Sequence, residues 1–137
     1  MGLLDRSAAS LRIFGDDLIP EDVSNLLGAV PSKAHRKGEK EIGAVTGKVR
    51  VHKTGSWRFS VERKSPENLD SQIFEILNQL SQDLSAWKTI SSRYEVDLFC
   101  GIFMASFNDG LTLSPEALFA LGVRGIKLNM DIYDASK

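Results

Sequence analysis

The chain has one cysteine and two histidines among 137 residues, and those scarcities exclude a good deal. A lone thiol, Cys100, rules out an internal disulfide and suits a reducing compartment. His35 and His52 show no ligand spacing with each other, and no third or fourth ligand can be placed beside them, so no metal site and no cofactor is expected. Long apolar runs are missing too. The longest, Leu98 to Phe107, is about half of what a membrane helix requires. The opening MGLLDRSAAS has neither the basic-then-apolar pattern of a secretory signal nor the Ser or Thr of a myristoylation site. A cytoplasmic protein of one domain, residues 1–137, is the expectation.

Catalytic patterns are equally scarce. No glycine-rich dinucleotide fingerprint occurs, and Gly43-Ala44-Val45-Thr46-Gly47-Lys48-Val49 fails as a phosphate loop. Its glycines stand too close together, and Val49 replaces the hydroxyl that would hold magnesium. Cys100 lies mid-strand between Phe99 and Gly101, where a free cysteine behaves as a small buried hydrophobe. The acidic pairs Asp16-Asp17 and Glu21-Asp22 fall at a turn and a helix start, and Asp131 alternates outward beside Asn129 and Tyr133. No reaction is identified, and no catalytic residue is assigned.

What the sequence does contain is clear periodicity. From Ser65 to Ser91, Leu69, Ile73, Ile76, Leu77, Leu80, Leu84 and Trp87 repeat with a period near 3.6, predicting one long amphipathic helix capped by Ser65 and Pro66. Its opposite face, with Asp70, Gln72 and Glu75, suits water. Strict alternation predicts strands over Ser7–Gly15, Tyr94–Ala105 and Gly125–Tyr133, the last with Ile126, Leu128, Met130 and Ile132 inward. Pro20 to Gly28 and Ser114 to Gly122 read as short helices, and LTLS as a short returning strand. Pro31–Gly43 reads as a loop. Ala44–His52 and Ser56–Glu62 read as a hairpin turned at Lys53-Thr54-Gly55, with Val45, Val49, Val51, Trp57, Phe59 and Val61 on its core face.

This order predicts an α+β fold: a largely antiparallel sheet with helices on one face. The first six elements follow a ferredoxin-like β-α-β-β-α-β order, with an α-β extension.

Charge is distributed unevenly. Residues 31–64 hold ten basic and three acidic side chains, a net of +7, against seven basic and fifteen acidic elsewhere, a net of −8. The candidate binding patch is Arg36, Lys37 and Lys40 in the loop with Lys48, Arg50, His52 and Arg58 on the hairpin's outer face. An overall charge of −1 and the absence of outward aromatics on that hairpin argue against nucleic acid. An acidic protein partner or self-association remains, with a small-anion or nucleic-acid phosphate as the alternative occupant.

Several of these residues occur together in a recognisable pattern. The stretch LRIFGDDLIPEDVSNLLGAVPSKAHRKGE, followed by Trp57, the helical segment and a closing DIY, is similar to a bacterial family known as domain of unknown function 4279. Arg12, Gly15, Asp16, Pro20, Leu27, Gly28, Pro31, Gly38, Trp57, Asp131 and Tyr133 carry the resemblance; Ile19 departs from it, where a capping residue such as Asp is expected. The resemblance implies a one-domain intracellular protein and no established activity. The functional expectation is a non-enzymatic interaction module, of the immunity or adaptor kind by analogy of fold alone.

Overall fold

In the computed structural model, which describes residues 2–134, the chain runs β1 (Gly2–Leu3), β2 (Arg6–Gly15), α1 (Pro20–Leu27), β3 (Lys33–His35), β4 (Lys40–Ile42), β5 (Val49–Val51) and β6 (Gly55–Ser60). It continues through α2 (Leu69–Leu77), α3 (Leu84–Arg93), β7 (Glu95–Met104), β8 (Asp109–Gly110), α4 (Pro115–Val123) and β9 (Lys127–Asp134). Five strands form the main sheet in the order β3-β6-β2-β7-β9. The fold is α+β, and the sheet is antiparallel except for the β7–β9 pair. A split β-α-β arrangement would give the first strand a parallel neighbour. Here β2 is antiparallel to both β6 and β7, so the expected ferredoxin-like order is not reproduced.

Alternation decides which face is dry. In β2, Ser7, Ala9, Leu11 and Ile13 are buried while Ala8, Ser10, Arg12 and Phe14 are half-exposed. In β7, Val96, Leu98, Cys100 and Ile102 are buried against the same layer. Trp57 on β6 is fully buried, and its indole N–H donates to Ser24 Oγ of α1 at 3.0 Å. The helices cover this face, leaving the other open.

The long predicted helix is two helices. It starts at Leu69, with Asn68 as the cap whose side chain accepts from Ser71, and ends at Leu77. A new helix begins at Leu84, capped by Asp83. Between them the Gln82 side chain donates to the carbonyls of Leu77 and Leu80, both at 2.9 Å, and the Ser81 N–H donates to the carbonyl of Leu27. These bonds satisfy the open helix end and tie it to α1. The break swings Leu84 out to 46% exposure, although it continues the apolar stripe in sequence. Two residues assigned to the wet face have structural work instead. Gln72 is fully buried and donates to the carbonyls of Ser7 and Glu62, and Asp70 accepts from the Ser114 backbone at 2.7 Å, fixing the start of α4.

The predicted hairpin is also re-paired. β5 pairs with β4, inside the stretch read as a loop, and β6 pairs with β2 and β3. Gly47, at φ 67°, lies in the β4–β5 connection, whereas Gly55 is a buried strand residue. A Cβ on Gly55 would come within 2.7 Å of the Gly15 carbonyl and 3.0 Å of Leu18. The β4–β5 hairpin has no core beneath it, so Val45, Val49 and Val51 are 97%, 58% and 50% exposed rather than inward. LTLS is not a strand; β8 lies just before it and pairs in parallel with β1. Among the described residues no helix is long and apolar enough to cross a membrane.

Candidate basic interaction site

The re-pairing brings parts of the basic segment together around a cleft of about 450 Å³ at the β3–β6 edge of the sheet. Arg50 from β5, Arg58 from β6, and His52 and Lys53 from the segment between them line it, with His35 from β3. Phe14, Thr54 and Ser56 complete the polar and apolar walls. Of the seven residues expected to act together, Arg50, His52 and Arg58 converge here. Arg36 and Lys37 do not: they reach Glu21 at 3.2 Å and Asp16 at 3.3 Å, so their charge is largely answered within the chain. Lys40 opens β4 and Lys48 lies in the β4–β5 connection, both outside the cleft lining.

The two histidines stack face to face, 3.5 Å between ring centroids and 18° between planes. His52 is buried, and its Nε2 lies 2.9 Å from Glu41 Oε2. Glu41 also reaches Lys33 at 3.5 Å, and its carboxyl is held below the usual range first by the His52 hydrogen bond, then by Lys33. His35 titrates below its ordinary value because burial disfavours the charged ring and His52 stands against it. Its Nδ1 is buried with no hydrogen-bond partner among the described residues. Asp16, at the rim, is held low by Thr54 and then by Lys37. Nearby carboxylates are thus committed to other groups, while Arg50 and Lys53 form no ion pair among the described residues.

Phe14 is positioned from behind. Arg12 makes a forked pair with Asp97, at 2.8 and 2.7 Å, and its guanidinium lies 4.2 Å from the centre of Phe99 and 5.1 Å from that of Phe14. Asp97 raises the Arg12 pKa further, keeping the charge in place. Arg58 approaches the Phe14 ring at 5.8 Å. One aromatic, Phe14, therefore does lie beside the basic residues of the cleft, supplied by β2 rather than by the strands that carry their charge.

Sequence reasoning missed His35, Lys53, Thr54, Ser56 and Phe14. A signal existed for His35, which lies in the same basic segment as His52; Lys53 and Thr54 were masked by being read as a turn. Cys100 takes no part. It is fully buried, and burial, with Asp97 adding to it, pushes its thiol up to about 12. Among the described residues no three His, Cys, Asp or Glu side chains gather as a metal set.

Fold and cleft together define a small α+β protein with a basic groove at one sheet edge. The family model described as "Domain of unknown function (DUF4279)" matches residues 5–135, and the chain belongs to that family. No curated protein and no solved structure matches it.

Proposed function

We propose that the protein is a non-enzymatic interaction module that meets an acidic protein partner through the β4–β5 hairpin and the adjoining cleft. The observation that carries this reading is the mixed character of the hairpin. Ile42, Val45, Val49 and Val51 are exposed on an element with no core of its own, interleaved with Lys40, Lys48 and Arg50. Apolar side chains ringed by like charge favour burial against a surface of opposite sign. The test is capture from cell extract by the wild-type chain and by a Lys48→Glu, Arg50→Glu variant. Both positions are exposed, so folding is expected to persist and partner capture to be lost. Undiminished capture by the variant overturns the reading.

A second reading is supported by the convergence of Arg50, Lys53 and Arg58 beside the stacked histidines: a small phosphate-bearing anion in the cleft. Titration with inorganic phosphate at low salt should then show saturable binding that Arg50→Ala with Arg58→Ala removes. Absence of saturation ends it.

A further inference from the structure

The opposite edge of the sheet is built differently. β9 is the terminal strand and, among the described residues, pairs with β7 alone, so residues 127–133 present one row of backbone donors and acceptors on their outer edge. On its helix-side face Leu128, Met130 and Ile132 lie in register with Leu98, Cys100 and Ile102, yet Met130 and Ile132 are 44% and 60% exposed. Next to them an apolar groove of about 570 Å³ runs along the same edge, walled by Leu111, Leu113 and Leu118. Leu118 belongs to α4, whose Phe119 and Val123 are also exposed although the helix is apolar nearly throughout. A helix of that composition is normally covered on more than one side.

The residue order of β9 suits pairing with a second copy of the same strand. In an antiparallel pairing of two copies about a two-fold axis, opposed residues share a face, so the axis must pass between a residue and its own equivalent. With Met130 on the axis, Leu128 lies opposite the second copy's Ile132 and Met130 opposite its equivalent, which closes the apolar row. On the other face Asn129 lies opposite Asp131, and Lys127 opposite Tyr133, whose hydroxyl already bonds to Asp131. No like charges stand directly opposite each other. Moving the axis to Asp131 sets two carboxylates against each other, and moving it to Asn129, though it sets Lys127 opposite Asp131, shortens the paired stretch to residues 127–131 and leaves Ile132 opposite a position outside the strand.

We propose that the protein self-associates through antiparallel pairing of β9 with β9 of a second copy, centred on Met130. The sheet then continues through both copies, with the two apolar grooves beside the axis. The basic clefts remain open at the far ends, since β3 and β6 lie at the opposite edge.

Sedimentation equilibrium of the full chain, repeated at several concentrations, tests this. The wild-type is expected to be dimeric and Met130→Asp, which puts two carboxylates on the axis, monomeric with an unchanged far-ultraviolet spectrum. Asn129→Lys, facing Asp131 of the other copy, should tighten the dimer, while Asn129→Asp should weaken it by about tenfold. Asn129 is exposed and its amide reaches Asp97 of the same chain at 3.4 Å, so these two variants, each with its monomer stability measured alongside, keep the test sound if Met130→Asp misfolds. A wild-type monomer at every concentration overturns the proposal. So does a dimer indifferent to all three substitutions, or one dissolved instead by Lys48→Glu with Arg50→Glu.

Discussion

The two edges of one sheet have been finished in opposite ways. At the β3 edge the outermost strand is three residues long, begins with a lysine, and is followed by a basic hairpin that projects away from the core. At the β9 edge the strand is eight residues long, contains no proline, and leaves apolar side chains half-uncovered beside an apolar groove. Short, charged edges resist strand addition, and long ones with an apolar face invite it. Under the two proposals made above, the contrast would separate recognition through side chains at one edge from association through backbone at the other.

Substitutions can probe that contrast at decreasing strength. The largest effect is expected where the β3–β6 edge is anchored: Trp57→Ala removes a fully buried indole and its bond to Ser24, costing about 3–5 kcal/mol in urea denaturation. That edge would loosen and β9 would not, so hydrogen exchange in β3 and β6 should accelerate before exchange in β7.

A smaller effect comes from pH. His35 titrates below its ordinary value of 6.5, so the unfolded chain takes up a proton first as pH falls. The stability contributed by the neutral ring is complete above pH 6.5 and declines as pH drops from there toward the folded-state value. The groups facing this ring are His52, Glu39, Lys33 and Arg58, and only Glu39 opposes the shift. Thermal melts across this range should show the decline in the wild-type and a flatter profile in His35→Gln.

The smallest effect is expected at the other edge. Ile132→Thr, at a residue 60% exposed, should change the stability of the monomer by no more than about 0.5 kcal/mol, read in denaturant at high dilution. A large loss there would mean that β9 is supported by its own chain and that the two edges are alike.

Much of the architecture was legible because alternation in β2 and β7 reports burial residue by residue. The helix break was not. Asn78, Gln79, Gln82 and Asp83 read as the wet side of a continuous helix, and what stops it is Gln82 turning back on the Leu77 carbonyl and Ser81 bonding to Leu27. The basic residues were visible one by one, but their convergence depends on which glycine supplies the turn. Gly47 and Gly55 offer similar local signals, and only the close approach of Gly55 to Gly15 and Leu18 places one inside a strand. For β9, alternation assigned Met130 and Ile132 to the core face correctly, yet periodicity carries no information about how far the helix layer extends over an edge.

The stacked histidines give the cleft its own spectroscopic label. They are the only two histidines in the chain, and at 3.5 Å each ring's protons lie in the shielding region of the other. The imidazole region of a proton magnetic resonance spectrum therefore contains two residues, both upfield of a solvated ring and both from the same groove. Anything that enters between Arg50 and Arg58 and disturbs the stack would move those signals downfield, with no dye, isotope or engineered residue required.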